Sequence, residues 1–250
     1  LERHWQDVNV VANKKKGAWE MRLGSQQAAG QIQYYEADKT NTSGLISGRL
    51  TKLKIPESIP DPTANTAAKK PVSPALIPSL DLTIDDLSWS KAQLGQVKLK
   101  TRTNENTLKV DSIQSNNPQG SSTVTGQWIG ATKNTVDHSV LNINMDVKDA
   151  GQIIAHWTAQ KSIEGGQGKV SANAEWDGSP FNPKFETLSG KASLNLEKGR
   201  LLEVNTSGAK LLDVLSLQSL FRFATLDLQG SLGNIVTKGT PFNSITSNFD

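Results

Sequence analysis

Apolar and polar residues alternate with a period of two along most of the chain. Leu80, Leu82 and Ile84 alternate with Asp81, Thr83 and Asp85. Leu141, Ile143, Met145 and Val147 alternate with Asn142, Asn144, Asp146 and Lys148. Val170, Ala172, Ala174 and Trp176 alternate with Lys169, Ser171, Asn173 and Glu175, and Ala192, Leu194 and Leu196 with Ser193, Asn195 and Glu197. Shorter runs cover Gly30–Tyr34, Val97–Leu99, Leu108–Val110, Val124–Trp128 and Leu226–Leu228. Successive side chains on a strand point to opposite faces, so each run predicts one apolar and one polar face. Gly and Asn punctuate the runs at hairpin intervals, which predicts mainly antiparallel β-structure.

Two segments follow a helical period instead. In 148–158, Ala150, Ile153, Ile154 and Trp157 fall at i, i+3, i+4 and i+7, the stripe of a short amphipathic helix. In 208–222, Leu211, Leu212, Val214, Leu215, Leu217, Leu220 and Phe221 spread around most of a helix, so it expects apolar contact on several sides. Between Pro56 and Pro78 stand six of the ten prolines, at 56, 60, 62, 71, 74 and 78. That predicts an exposed loop or linker between an N-terminal β segment, 1–55, and a larger body, 79–250. A loose repeat, Trp128-Ile129-Gly130 and Trp176-Asp177-Gly178, closes two strands with Trp-X-Gly, and Gly17-Ala18-Trp19 reads as a degenerate third copy.

Composition narrows the chemistry. The 250 residues, 36% hydrophobic, allow one large domain or two small ones. Lys plus Arg is 27 against 24 for Asp plus Glu, a net charge of +3, which does not argue for nucleic acid. No run approaches the roughly 20 apolar residues of a membrane helix. The lack of Cys excludes disulfides, thiolate zinc sites and a Cys nucleophile. The chain opens without Met or a signal peptide, which leads us to expect a piece of a longer protein.

Candidate catalytic groups are sparse. His4, His138 and His156 lack the spacing of a metal pair on one helix face, so no metal site is expected. No Gly-X-Ser-X-Gly elbow marks a hydrolase. Asp85 and Asp86 are neighbours and read as a strand-end turn. Gly165-Gly166-Gln167-Gly168 lacks the Lys-Ser/Thr of a phosphate loop and reads as a helix stop and turn. Lys14-Lys15-Lys16 reads as a solvated turn, with contact to anionic lipid as the alternative. The strand-closing tryptophans read as sheet packing rather than ligand stacking. What remains is the apolar face. It is either the closed core of a β-sandwich or an open groove for acyl chains, and periodicity fits both.

From Pro78 onward the sequence resembles the AsmA-like superfamily, in particular the C-terminal region of its YhdP branch. The resemblance rests on Pro78-Ser79-Leu80-Asp81-Leu82-Thr83-Ile84-Asp85-Asp86-Leu87-Ser88-Trp89, then Leu94-Gly95-Gln96-Val97-Lys98-Leu99 and Thr125-Gly126-Gln127-Trp128. It continues through Asp149–Trp157, Gly165–Gly168, Trp176-Asp177-Gly178-Ser179-Pro180, Leu188-Ser189-Gly190 and Lys198-Gly199-Arg200-Leu201-Leu202. It is strongest in Leu215–Leu220 with Arg222 and Leu226-Asp227-Leu228, and closes on Gly239, Phe242 and Ile245. Residues 1–55 fit it only by their β character. The stretch Gly230–Lys238 looks longer and more polar than the family pattern, and the Pro-rich stretch looks extended.

The resemblance implies a long, twisted antiparallel sheet curled into an open apolar groove, with two short helices. It implies an envelope protein of a Gram-negative bacterium, anchored in the inner membrane by a segment outside this sequence. Such a protein conducts phospholipid between inner and outer membranes, without catalysis or cofactor. An acyl chain exposed to water forfeits about 0.8 kcal/mol per CH₂, a cost that a continuous apolar trough removes. The expected lining is Leu80, Leu82, Ile84, Val97, Leu99, Leu108, Val110, Leu141, Ile143, Met145, Val170, Ala172, Ala174, Leu194, Leu196, Leu226 and Leu228. Leu211, Leu212, Leu215, Leu217, Leu220 and Phe221 are expected on a groove-end helix that plugs the groove or meets the outer membrane or a periplasmic protein. The alternative is a β-rich envelope scaffold with a closed core.

Overall fold

The computed structural model describes residues 5–39, 42–56, 72–89, 92–158, 162–181, 183–203 and 237–249. Among the described residues, twelve strands form a single sheet in strict sequence order, β1 to β12, that is not closed into a barrel. They are β1 Asn9–Lys15, β2 Ala18–Gly24, β3 Ala28–Tyr35, β4 Leu45–Ile55, β5 Ser79–Trp89 and β6 Ala92–Asn104. Then come β7 Thr107–Asn117, β8 Gly120–Ile129, β9 His138–Val147, β10 Ile163–Asp177, β11 Ser189–Glu203 and β12 Thr237–Phe249. Among the described residues one α-helix, α1 Ala150–Thr158, lies between β9 and β10. The expected helix at 208–222, the strand at Leu226–Leu228 and all groove-end helix residues lie outside the described residues.

The sheet is mainly antiparallel, as expected, with one parallel pair among the described strands: β4 and β5, Leu45 opposite Ser79 through Ile55 opposite Trp89. Strands that run the same way cannot be joined by a hairpin and need a crossover. The proline-rich stretch between Ile55 and Ser79 is the chain that makes it. Its described end is ordered: Ser73 caps a single turn at Pro74–Leu76, accepting from the Ala75 N–H, and Pro74 is buried.

The chain divides into two compact units, Leu1–Asn116 with Thr125–Asp137, and Asn117–Val124 with His138–Asp250. In the first, Leu50, Ile84, Leu87 and Val97 form the buried core, with Leu23, Ile32, Leu53, Ile55, Leu94 and Ile113 packed against it. Leu23 and Leu50 stand two strands apart with Gly30 between them in register. Gly30 has φ +144°, and a Cβ there would run into the Arg49 carbonyl and crowd the Leu50 side chain. The missing side chain is what leaves Leu50 room over β3.

In the second unit, Val147, Ala150, Leu194 and Leu196 are buried together, with Met145, Ile153, Val170 and Phe242 against them. Helix α1 thus lies on the apolar side of the sheet. Asp149 caps it: a carboxylate oxygen accepts from the Gln152 N–H at 2.9 Å, and its carbonyl accepts from Ile153 N–H at 3.2 Å. The glycine-rich run Gly165–Gly168 is not a turn but lies inside β10. It forms the floor under the helix, where a Cβ on Gly166 would sit 3.3 Å from the Ala150 Cβ. Gly168, at φ +156°, could not carry a side chain without striking the Asn195 carbonyl of β11.

Trp128 and Trp176 close their strands as the loose repeat predicts. Each is 1% exposed. Trp128 donates its indole N–H to Asp137 Oδ1 and Trp176 to the Ser179 carbonyl, both at 3.3 Å. Trp19 is not their equivalent. It is the second residue of β2 and 37% exposed, because its strand begins there rather than ends.

Candidate functional site: the apolar sheet faces

Residues directly opposite across a ladder share a face, so the register traces rows of side chains across the strands. In the first unit one row is Leu23, Gly30, Leu50, Ile84, Val97 and Ser115. The next is Met21, Ile32, Gly48, Leu82, Leu99 and Ile113. Beside it run Trp19, Tyr34, Ile46, Leu80, Thr101 and Val110, and Leu108 stands opposite Thr103. The expected lining residues of this unit therefore share one face.

Those of the second unit do the same. Val147, Gly168, Leu196 and Ile245 make one row, and Met145, Val170 and Leu194 the next. Ile143, Ala172 and Ala192 follow, then Leu141, Ala174 and Gly190. Leu226 and Leu228 lie outside the described residues.

Burial splits the lining into two sets. Ile84 and Val97 at 3% exposed, Leu108 at 9%, and Ala174, Leu194 and Leu196 at 1–3% are sealed by their neighbours. Leu80, Leu82, Leu99, Val110, Leu141, Ile143, Met145, Val170 and Ala172 are only half-buried. Each unit thus has a packed apolar strip with a partly open apolar strip beside it.

The opposite face is polar. In the first unit Gln31, Arg49, Thr83, Lys98 and Gln114 form a row there. Arg49 holds Asp85 at 2.8–3.1 Å, and Arg102 holds Asp111 through two bonds of 2.7 Å. The Arg102 guanidinium draws the Asp111 carboxyl below its ordinary range. Asp85 and Asp86 lie inside β5, at a register shift between Ile84 and Leu87, not at a strand end. In the second unit a hollow of about 480 Å³ lies over Asn142, Asn144, Ser171, Asn173, Lys191, Ser193 and Asn248, with Ala172 and Ala192 beneath.

Other candidates of the sequence fall on exposed ground. His138 Nδ1 is 3.4 Å from Asp177 and Nε2 is 3.9 Å from Glu175, an exposed pairing. His4 and the His156 side chain lie outside the described residues. Among the described residues no three His, Asp or Glu side chains gather as a metal site would require. Also among them, no helix is long and apolar enough to cross a membrane. Lys14 and Lys15 end β1, and Lys16 begins the two-residue turn into β2. Lys14 pairs with Glu36 at 2.7 Å and sits 5.5 Å over the Trp19 ring, while Lys15 pairs with Glu20 at 3.0 Å.

The lining expected from sequence omitted Leu23, Ile32, Leu50, Leu53, Leu94 and Ile113, half of the first unit's apolar face. Register shifts at Ala29/Gly30, at Ile84/Leu87 and at Leu87/Ser88 put an odd residue into the period and hide Leu53 and Leu94, while Leu23, Ile32 and Leu50 keep the period but stand in runs broken by glycine or polar residues. The signal left in the sequence is the pair of offset apolar runs on either side of each shift.

A family model described as the YhdP protein matches residues 1–250, the whole chain. The chain belongs to the YhdP family. The YhdP match takes in β1–β4, which the residue-level resemblance covered only by β character. No curated protein and no solved structure matches the chain.

Proposed function

We propose that this YhdP-family chain carries phospholipid acyl chains along its apolar sheet faces, as part of a protein that conducts lipid between inner and outer membranes. No catalysis and no cofactor enter this reading. The observation that carries it is the partly open apolar strip of each unit, set in contiguous rows beside a polar face. Exposed contiguous apolar surface is rare on proteins unless something binds it. An acyl chain laid on half-buried Leu82, Leu99, Ile143 or Met145 regains about 0.8 kcal/mol per CH₂ removed from water. The periplasm of a Gram-negative envelope, with anchoring elsewhere in the protein, is the setting this implies. The segment 208–222 is proposed as the groove-end element that meets the outer membrane or a periplasmic protein.

The sealed set favours the second reading, a scaffold with a closed core: Ile84 and Leu194 at 3% exposed leave no room for a ligand. The two separate on one experiment. Ile143→Asp, in the intact protein, places a charge in the half-open strip, and Asn144→Asp places one on the polar face. Lipid transfer between donor and acceptor membranes should fall at least tenfold for the first and stay within twofold for the second. Equal transfer by both, with both folded, would leave the scaffold as the better account.

A further inference from the structure

The first unit's apolar face does not stay apolar to its end. The row nearest the β1–β2 turn holds Lys14, Trp19 and Tyr34 side by side, followed by Ile46 and Leu80. One row further in, Ala12, Met21 and Ile32 are apolar. Lys14 and Glu36 meet at 2.7 Å with half of each side chain in solvent, 51% and 57%. The Lys14 ammonium lies 5.5 Å over the Trp19 ring, so that ring already hosts a cation. Amphipathic aromatic rings and a long cationic side chain at the end of an apolar surface are the groups that settle at the headgroup level of a membrane.

We propose that Lys14, Glu36 and Trp19 form a headgroup subsite for a zwitterionic phospholipid carrying a phosphate and a primary ammonium. The inference rests on the lipid-conduit reading and names the lipid class it favours. The phosphate takes Lys14, the ammonium takes Glu36 beside the Trp19 ring, and the acyl chains run inward past Met21, Ile32 and Leu82. A zwitterion replaces one ion pair with two. A purely anionic headgroup would draw Lys14 away and leave the Glu36 carboxylate unpaired beside a phosphate, which is repulsive.

The test incubates the intact protein with vesicles of equal phosphatidylethanolamine and phosphatidylglycerol, matched in acyl chains, and counts bound lipid by mass spectrometry. The wild type should hold the ethanolamine lipid in about two- to fivefold excess, the range an exposed ion pair supplies. Glu36→Gln should turn the ratio toward the glycerol lipid, and Lys14→Ala, which leaves Glu36 to select the ammonium, should keep or raise the wild-type ratio while weakening the hold on both headgroups. A pair that merely ties β1 to the end of β3 would leave the ratio unmoved. A wild-type ratio of one, or a Glu36→Gln variant that keeps the wild-type ratio, overturns the headgroup site while leaving the conduit intact. No lipid on the wild type overturns both.

Discussion

Replacing Leu194 by Ala probes how the apolar face of the second unit is closed. Leu194 is 3% exposed and packs with Val147, Ala150 and Leu196. Truncation removes three carbon atoms, about 2.4 kcal/mol of transfer free energy at roughly 0.8 per CH₂. Helix α1 sits on one side and the backbone of β10 and β11 on the other, so the hole cannot collapse fully. The cavity term brings the expected loss to about 2–5 kcal/mol. For a chain of this length that lowers the melting temperature by roughly 2–4 °C per kcal/mol, or about 4–20 °C. Ile143, half-buried on the same face, has less to lose, and Ile143→Ala should cost about 1 kcal/mol. Thermal unfolding of the intact protein by circular dichroism reads both. A drop below about 1 °C for Leu194→Ala, or equal drops for the two, would refute the division into a sealed and an open strip.

Two further outcomes follow from the same contacts. Gly168→Ala should destabilise by about 1–3 kcal/mol, because its Cβ meets the Asn195 carbonyl and the backbone must leave φ +156°. A denaturant midpoint equal to wild type would contradict that close approach. Asp111 titrates below its unfolded value because Arg102 favours the carboxylate. Its stabilisation is therefore present above the unfolded pKa of about 3.9 and fades as pH falls through the lower folded value. Asp111→Asn should cost up to about 1 kcal/mol at pH 7, after screening at this surface site, and nothing once the pH lies below the folded value. A gap between wild type and variant that persists unchanged down to pH 2 would rule this out.

The second unit is more legible in the sequence because the alternation across β9, β10 and β11 carries no register shift, the one in this unit falling at Leu201/Glu203 against β12. The β9–β10 and β10–β11 ladders pair without a described register shift, so Ile143, Ala172 and Ala192 fall in one row as alternation predicts. The first unit is less legible. Shifts around Ala29 and Leu87 displace Leu53 and Leu94 from the expected phase. The parallel pairing of β4 and β5 leaves no mark in either strand and resides in the crossover between them. Gly165–Gly168 misleads because a glycine run normally stops a helix, whereas here small residues are what let α1 lie close on β10. Which apolar residues are sealed depends on such docking and not on alternation, so Leu194 and Ile143 look alike in sequence and differ in the fold.

The central claim is that lipid occupies the half-open apolar strips. Its most direct test is site-specific photo-crosslinking of the full protein in cells. A photoreactive residue replaces Leu82 or Ile143, with Thr83 and Asn144 as controls on the polar face. Phospholipid adducts at Leu82 and Ile143, and none at the two controls, are the predicted result. A folded protein that captures no lipid at either apolar position, or captures it equally on both faces, would contradict the account.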